Sequence, residues 1–369
     1  MPHSGQQEDI FRYLDREDLL LHVPYHSYTT LLRFFNRAAI DPFVTDIFIT
    51  LYRVAGDSLI AHALISAARN GKKVTVFVEL KARFDEANNI RWAKEMKAAG
   101  VKIIYSIPGL KVHAKVALVK RKEGHRTKYY GIMATGNFNE ATARFYTDHI
   151  LLTANKDLLT ELECLFLFLA KRRKPQPGDP VHFRQLLVAQ FNLQQGFLQL
   201  LDDEIAQARQ GLHAAVTIKM NNLEEETMID KLYEAAQAGV KINLIIRGIC
   251  RIRPGIPGFS DNIMVTRIVD RYLEHGRLFI FHNGGTPKVY LGSADWMKRN
   301  IYHRIEVCFP VYDQRLQEEL IRMADIQLQD TLSAVYPDAQ GQNQHPPASP
   351  DPLAAQYSIY QMIRNEQQP

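Results

Sequence analysis

Residues 109–119 have the sequence GLKVHAKVALV. Apolar side chains occupy every second position of this stretch, which predicts a strand with one face in a hydrophobic core. The opposite face carries Lys111, His113 and Lys115, neighbours about 7 Å apart. Two unit charges at that distance repel by about 2 kcal/mol at an effective dielectric of about 20. We therefore expect the lysines to keep His113 in its neutral, nucleophilic form, and the three side chains together to bind a polyanion.

The composition is that of a folded globular protein. The chain has 369 residues, of which 46% are hydrophobic and 23% charged, which is enough for two domains with substantial cores. Its formal net charge of +5 permits a phosphate-rich ligand without requiring one. The basic cluster at 171–174, KRRK, is most simply a solvated helix end, and we assign no nucleic-acid partner to it.

The sequence predicts a cytoplasmic protein. Its three cysteines, Cys164, Cys250 and Cys308, have no metal-type spacing, and we interpret them as reduced, buried residues. The start of the chain lacks the apolar core of a signal peptide, and no run approaches the roughly 18 apolar residues of a membrane span. Secretion and membrane spanning are therefore not expected.

Strand and helix patterns alternate around the opening stretch. Strands are predicted at 45–54, 74–80, 101–106 and 110–119. Helices follow the first two strands, one capped by Asp57 or Ser58 and one by Asp85, and a long apolar helix follows Asn155. This alternation predicts an α/β fold with a mainly parallel, mixed sheet that is flanked by helices.

The stretch at 171–180, KRRKPQPGDP, breaks these patterns and marks a boundary between two domains. We place the first domain at 22–174 and the second at 183–336, with a lead-in segment at 1–21. The tail at 337–369 is expected to be mostly flexible, with a short helix at about 357–365. His22 and His26 are interpreted as turn or surface residues, because Pro24 opposes the helix that a metal pair at this spacing needs.

The second domain repeats the first. Gly71 and Gly239 each end a predicted helix and lie 168 residues apart, and the same offset carries Val74 to Ile242. A helix and strand that superpose without gaps indicate two similar domains. Coincidence between two generic amphipathic units is the alternative explanation.

Each half also contains a histidine, a cation two residues later, and a small-residue turn that ends in an amide or a carboxyl. The two sets are His113, Lys115 and Asn137, and His275, Arg277 and Asp295. Two such units related by a pseudo-twofold axis would place two histidines opposite each other among cations. That arrangement suits phosphoryl transfer to a histidine, because imidazole can attack phosphorus while cations stabilise the equatorial oxygens. Chance recurrence and solvated basic faces are the alternative explanation.

The paired motif resembles the His-x-Lys…Gly-Ser-x-Asn motif of the phospholipase D superfamily, which has one half-motif per domain. This resemblance implies two tandem phospholipase D-like α/β domains. The full motif of that family has an aspartate seven residues after each histidine. Lys120 and His282 stand at those positions here, which argues against a lipase or nuclease of that type.

A longer set of motifs resembles the polyphosphate kinase family over residues 18–335. The matching stretches are LYR at 51–53, VELKARFDE at 78–86, GLKVHAK at 109–115, TGNFN at 135–139, TARFYTD at 142–148, IRG at 246–248, DRYLEH at 270–275 and SADW at 293–296. The resemblance implies reversible transfer of the terminal phosphate of ATP to inorganic polyphosphate through a phosphohistidine. ATP and Mg²⁺ are then the expected cofactors, and ADP and polyphosphate the expected partners.

The resemblance also implies roles for single residues. His113 matches the phosphorylated histidine, and His275 matches a second essential histidine in the nucleotide pocket. Lys115 and Arg277 accompany these histidines as catalytic cations. The residues expected to contact the nucleotide are Tyr146, Arg247, His275, Asn137 and Asp295.

Two further arginines, Arg53 and Arg83, match positions that the family associates with Mg²⁺. A guanidinium group cannot ligate a cation. We therefore expect both arginines to bind the phosphates that carry the metal.

Members of this family are considerably longer and have an amino-terminal domain and a helical domain ahead of the matching region. The sequence resembles their two carboxy-terminal catalytic domains. For full-length members we expect homo-oligomers and peripheral association with a membrane. Two other functions are weighed against the kinase: a fragment that binds polyphosphate or nucleotide without chemistry, and a phospholipase D-like phosphodiesterase.

Overall fold

The computed structural model describes residues 8–79, 86–176 and 178–366. These residues form two compact units. We call residues up to 191, together with 303–309, the amino-terminal unit, and the remaining residues from 192 onward the carboxy-terminal unit. The sequence-based domain limits did not anticipate that 303–309 returns to the amino-terminal unit, and those limits stay a prediction.

The described part of the amino-terminal unit begins with alternating helices and strands up to residue 105 and continues mainly with strands up to residue 188. The helices are α1 (Ile10–Leu14), α2 (Thr29–Ile40), α3 (Leu59–Arg69), α4 (Glu86–Ala98) and α5 (Lys156–Ala170). The strands are β1 (Leu19–Val23), β2 (Val44–Leu51), β3 (Lys73–Val78), β4 (Lys102–Tyr105), β5 (Lys111–Val112), β6 (Lys115–Glu123), β7 (Arg126–Ala134), β8 (Tyr146–Thr153) and β9 (Leu187–Val188). Asp85, the predicted cap of α4, lies outside the described residues.

The sheet of this unit has the strand order β1-β8-β7-β6-β2-β3-β4. Strands β2, β3 and β4 are parallel, whereas β6 is antiparallel to β2 and to β7. The mixed α/β sheet was predicted correctly. The expectation that parallel pairing would predominate was wrong, because only the strands joined by α3 and α4 need a crossover. Strands β6 and β7 form a hairpin, which reverses the chain direction.

Helix α3 shows the local signals from which its two ends were predicted. The side chain of Ser58 accepts a hydrogen bond from the N–H of Ala61 at 3.2 Å and caps the helix. Gly71 follows the helix with a φ of +81°, a left-handed conformation that favours glycine. The last three residues of β2 and of β3 are all buried, so both faces of the sheet are covered there, as expected for central strands between helical layers.

The described elements beyond residue 191 follow in chain order. The helices are α6 (Leu193–Arg209), α7 (Glu226–Gln237), α8 (Lys298–His303), α9 (Gln314–Leu328) and α10 (Ala355–Glu366). The strands are β10 (Ala215–Met220), β11 (Lys241–Ile246), β12 (Ile263–Ile268), β13 (Leu273–Glu274), β14 (Arg277–Phe281), β15 (Lys288–Gly292), β16 (Arg304–Ile305), β17 (Val307–Pro310), β18 (Ala334–Pro337) and β19 (Asn343–Gln344).

The carboxy-terminal unit repeats the design of the amino-terminal one. Its strands have the order β19-β18-β12-β11-β10-β14-β15, with β10, β11 and β12 parallel and β14 antiparallel to β10. Strands β3 and β11 are offset by the predicted 168 residues, and Gly239 has a φ of +100° where Gly71 has +81°. The predicted repeat is therefore confirmed.

The last part of the described chain contains two short strands and a helix. Helix α10 confirms the predicted short helix and buries Ile359 and Ile363. Ahead of it, β18 and β19 pair in antiparallel fashion. Mobility of the segment between β18 and α10 stays a prediction.

Two local interpretations need correction. His22 is buried, because β1 is a strand that aligns it with His149 on β8, and their Nδ1 atoms lie 2.7 Å apart. Cys164 is exposed on α5, since it falls on the solvent side of a helix whose apolar run faces the core, whereas Cys308 is buried as expected. None of the described helices combines the length and apolar character needed to cross a bilayer.

Candidate functional site

The predicted strand at 110–119 is broken at His113. Strand β5 ends at Val112, and the backbone N–H groups of His113 and Ala114 both donate to the carbonyl of Ile305, at 2.9 and 3.0 Å. The hydroxyl of Thr50 donates to the carbonyl of Ala114 at 2.6 Å and accepts the N–H of Val116 at 3.1 Å. The break between β5 and β6 is therefore stabilised by its own hydrogen bonds, to Ile305 and Thr50.

His113 is paired with a carboxylate that the sequence reasoning missed. Its Nδ1 lies 2.8 Å from the carboxylate of Glu306, which is fully buried between β16 and β17. The parallel pairing of β5 with β16 places these residues side by side. An ionised carboxylate can only accept, so the shared proton belongs on Nδ1 and the lone pair of Nε2 is free.

The surroundings set the protonation of this pair. Burial lowers the pKa of His113 to about 3, with Glu306 opposing the shift and Lys115 adding to it. Burial alone would raise the pKa of Glu306, but His113, Lys115 and Arg304 lower it to about 2. The predicted neutral imidazole is therefore supported, although its main cause is burial rather than lysine charge.

The cations around His113 are arranged differently from the predicted single polar face. Lys115 is 2% exposed, and its ammonium donates to the carbonyl of His113 and lies 5.4 Å from the Tyr52 ring centroid. The Tyr52 ring meets the His113 ring edge to face at 4.7 Å. Lys111 is separated from Lys115 because it belongs to β5. The expected polar face was wrong, since both faces of β6 are covered near its start.

The turn that follows β7 is held by a second carboxylate. Asp148 accepts the hydroxyl of Thr135 at 2.6 Å, and the Thr135 hydroxyl accepts the N–H of His149 at 3.0 Å. A Cβ on Gly136 would lie 2.1 Å from Asp148 Oδ2, so only glycine fits this close approach. The adjacent Asn137 has a buried side-chain oxygen with no hydrogen-bond partner in the described part of the chain. That oxygen fits a donor supplied by a ligand.

The other predicted residues of this unit lie at strand ends. Tyr146 is the half-buried first residue of β8. Arg53 is half-buried two residues after β2, where its carbonyl accepts the side-chain amide of Asn139 at 3.5 Å. Arg83 lies outside the described residues.

His275 lies at the corresponding place in the carboxy-terminal unit, between β13 and β14. A terminal nitrogen of Arg277 lies 3.1 Å from His275 Nε2 and 3.3 Å from Nδ1, and it donates to the His275 carbonyl at 2.8 Å. The side-chain amide of Asn221 donates to the same carbonyl at 3.0 Å. The histidine and its cation are thus in direct contact.

Asp295 holds this cluster together. Its carboxylate accepts Arg277 Nε at 3.1 Å, the backbone N–H of Asn221 at 2.9 Å and the side-chain amide of Asn222 at 3.2 Å. Burial alone would raise the pKa of Asp295, but Arg277 and the Asn221 hydrogen bond hold it well below its usual range. Asn221 in turn accepts Arg247 Nε at 2.6 Å, which links the last predicted residue of this unit to the cluster.

The predicted residues are thus collected separately within each unit. The amino-terminal unit joins His113 to Lys115, and the carboxy-terminal unit joins His275, Arg277 and Asp295 to Arg247. Glu306 and Asn221 were missed. Asn221 could have been found, because it stands 168 residues after Arg53, at the end of the strand that repeats β2.

Two family models cover most of the chain. Residues 9–175 match the model of the polyphosphate kinase C-terminal domain 1, and residues 186–356 match that of the polyphosphate kinase C-terminal domain 2. The polyphosphate kinase of Escherichia coli K12 is 46% identical over 367 residues, which are 99% of this chain and 53% of the relative. That of Vibrio cholerae is 45% identical over 96% of this chain and 50% of its own length. The chain therefore spans about half the length of the curated relatives it matches.

Solved structures give the same result for the fold. The crystal structure of polyphosphate kinase from Porphyromonas gingivalis superposes with a TM-score of 0.90 at 44% identity and covers 98% of this chain and 55% of that one. Phosphatidylserine synthase from Haemophilus influenzae superposes with a TM-score of 0.58 at 9% identity, covering 95% and 92% of the two chains, and shows a shared fold alone. The predicted α/β class, with two tandem domains that each contain a mixed sheet flanked by helices, is confirmed.

Proposed function

Since this chain belongs to the polyphosphate kinase family, we propose that it transfers the terminal phosphate of ATP reversibly to inorganic polyphosphate through a phosphohistidine at His113. The observation that carries the proposal is the buried pair of His113 and Glu306, 2.8 Å apart. A neutral imidazole with its proton on Nδ1 has a nucleophilic Nε2 at physiological pH.

The first half of the reaction consumes ATP. The lone pair of His113 Nε2 attacks the terminal phosphorus in line, the bond from that phosphorus to the bridging oxygen breaks, and ADP leaves with the electron pair. The proton on Nδ1 stays in place, so the phosphorylated ring carries a positive charge. The carboxylate of Glu306 balances that charge from 2.8 Å.

The second half extends the polymer. A terminal oxygen of polyphosphate attacks the phosphorus of phosphohistidine, the P–N bond breaks, and the electron pair returns to Nε2. Lys115 contributes positive potential beside the ring, while Arg53 and Arg83 bind the phosphates of the incoming chain or nucleotide. In both steps a nucleophile displaces another group from the same phosphorus. The two steps are chemically similar, so the reaction can run in either direction.

We assign the nucleotide to His275, Arg277, Arg247, Tyr146 and Asn137. His275 donates to a leaving or attacking oxygen in this scheme, and Arg277 stabilises charge on the same phosphates. The unpartnered side-chain oxygen of Asn137 supports a ligand there. Asp295, the other residue expected at the nucleotide, accepts hydrogen bonds from Arg277, Asn221 and Asn222, so in this scheme it also holds Arg277 in place.

Magnesium enters this scheme as part of the substrate, MgATP. No group of three or more His, Cys, Asp or Glu side chains in the described ranges could hold a metal ion. Arginine cannot ligate a cation, so Arg53 offers no metal site. In this scheme the phosphates of ATP carry the ion, and Arg53 and Arg83 bind those phosphates.

The proposal also covers the partners, the assembly and the location of the protein. ATP, ADP and polyphosphate are the partners, with no nucleic acid. A longer form of the protein would self-associate and contact a membrane peripherally, within the cytoplasm. The relatives that are named polyphosphate kinase support ATP, ADP and polyphosphate as the partners.

Incubation with γ-³²P-labelled ATP and Mg²⁺ tests the proposal. The parent chain should gain acid-labile, alkali-stable label and pass it to polyphosphate, whereas His113→Ala should gain none. His125→Ala is the matched control, because His125 is exposed at the β6–β7 turn, and it should label like the parent. Nucleotide binding without label would indicate a binding fragment, and cleavage of a bis-aryl phosphate would indicate a phosphodiesterase.

A further inference from the structure

We propose that Gln356, the second residue of α10, is a positioning residue that orients His275 for nucleotide binding. The proposal rests on the role assigned above to His275. It gives a function to a residue that the sequence analysis placed in a flexible tail.

The side chain of Gln356 clamps the backbone just ahead of His275. Its oxygen accepts the N–H of Tyr272 at 3.0 Å, and its nitrogen donates to the carbonyl of the same residue at 2.9 Å. The nitrogen also donates to the carboxylate of Glu274 at 2.7 Å. Gln356 is 4% exposed, so water does not compete easily for these bonds.

Glu274 is fixed from three sides. Besides Gln356, its carboxylate accepts Lys219 at 2.5 Å and Gln327 of α9 at 2.8 Å. Both Glu274 and Lys219 are 4% exposed. A buried carboxylate that loses one of its donors is costly, so the three donors together leave Glu274 a single favourable position.

The histidine is therefore held on both sides along the chain. On one side Gln356 fixes residues 272 and 274, and on the other Asn221 and Arg277 donate to the His275 carbonyl. Arg277 also contacts the imidazole, so a rotation of the peptide between Glu274 and His275 would move ring and guanidinium apart.

Helix α10 can act as a fixed support because its own start is anchored. The N–H of Ala355 donates to the buried carboxylate of Asp330 at 2.7 Å. Leu353 and Thr331 exchange two further hydrogen bonds, at 2.8 and 2.9 Å. Apolar packing of Ile359 completes the anchor. The position of Gln356 is thus set independently of His275.

Gln356→Leu tests the proposal, with Gln361→Leu as the matched control. The control residue lies on the same helix, is partly exposed and has no side-chain hydrogen bond among the described residues. Two quantities are measured in the full chain: hydrogen exchange of peptides covering 270–277, and the Kd for a non-hydrolysable MgATP analogue. We expect Gln356→Leu to speed exchange there and to weaken binding by roughly tenfold, since small misplacements of site groups are that costly.

Gln356→Glu is a second variant of nearly unchanged size. It places two carboxylates together, and their repulsion raises the pKa of one of them. Its binding defect should shrink as pH falls from about 8 to about 6, because protonation restores a donor. A binding defect that stays the same from about pH 8 to about pH 6 would contradict the proposal.

The outcomes separate this proposal from the proposed function. Faster exchange at 270–277 with unchanged binding, or a Gln361→Leu variant that matches Gln356→Leu, would overturn the positioning role while phosphotransfer by the parent stands. A parent that never labels His113 contradicts the proposed function, yet the exchange and binding measurements still decide whether Gln356 orients the site.

Discussion

The Nδ1 atom of His113 lies 2.8 Å from a carboxylate oxygen of Glu306, a residue 193 positions further along the chain. Strands β5 and β16 bring the two together, and the backbone of His113 donates to Ile305, the neighbour of Glu306. The pair decides which ring nitrogen is free and supplies the negative charge that a phosphorylated ring needs.

Replacing Glu306 by Gln should therefore slow phosphohistidine formation by roughly 10²–10⁴-fold, as for other histidines that lose an orienting carboxylate. A neutral amide can donate to Nδ1 and stabilise the tautomer with its proton on Nε2. The rate is measured by single-turnover labelling with γ-³²P-ATP. Glu163→Gln is the control, because it removes the carboxylate that pairs with Lys120 at 2.6 Å elsewhere in the same unit. Equal rates for both variants would exclude the tautomer argument.

The ring of His113 should not titrate between about pH 5 and pH 8. Burial lowers its pKa to about 3 in the folded chain, whereas the same group in an unfolded chain has the ordinary histidine pKa of about 6.5. The unfolded state therefore binds more protons between these values, and the contribution of His113 to stability falls as pH drops through that window. Imidazole NMR titration, assigned with His113→Ala, checks the prediction, and an inflection near pH 6.5 would contradict it.

Arg277 and Asp295 should be strongly coupled in stability. Arg277→Met leaves a buried carboxylate without its cation, which costs about 3–5 kcal/mol. Adding Asp295→Asn removes the charge that caused the penalty, so we expect the double variant to melt at a higher temperature than Arg277→Met alone. Lys231→Met with Asp202→Asn is the control cycle, because that pair is more exposed and should couple by under about 1 kcal/mol. Additive losses at Arg277 and Asp295 would argue against the coupling.

Gly136→Ala should destabilise the amino-terminal unit by about 1–3 kcal/mol, the usual cost of overpacking. The new Cβ would lie 2.1 Å from Asp148 Oδ2 and would displace the carboxylate that holds Thr135. Thermal unfolding of the variant measures the loss. Gly56→Ala has no neighbour within 4 Å of its new Cβ and should leave the melting temperature within a degree or two. A Gly136→Ala variant as stable as this control would show that Asp148 can move freely.

Local patterns predicted the elements that local physics determines. A few neighbouring residues are enough to predict the cap at Ser58, the left-handed Gly71 and the apolar run of β3. The 168-residue repeat gives the same kind of local signal a second time. The alternation at 109–119 was also read correctly as a strand pattern. It did not reveal the break at His113, which depends on hydrogen bonds to Ile305 and Thr50 from other parts of the chain.

The partners of the candidate site were harder to predict because they are distant in sequence. Glu306 follows a two-residue strand that pairs with β5, and a strand that short has no periodic signal. Gln356 lies at the start of a helix beyond a Pro-rich polar stretch, so its burial depends on Asp330 and Glu274 rather than on its neighbours. His22 looked exposed beside Pro24, but pairing with β8 buries it.

The most direct test of the central claim is a crystal structure of this chain with Mg²⁺ and a non-hydrolysable ATP analogue. The account predicts that the terminal phosphorus lies about 3–3.5 Å from His113 Nε2, in line with the bond to be broken. It also predicts that His275, Arg277 and Arg247 contact the same nucleotide. A nucleotide bound with its terminal phosphate away from His113, or with His275 facing a separate surface, would contradict the account.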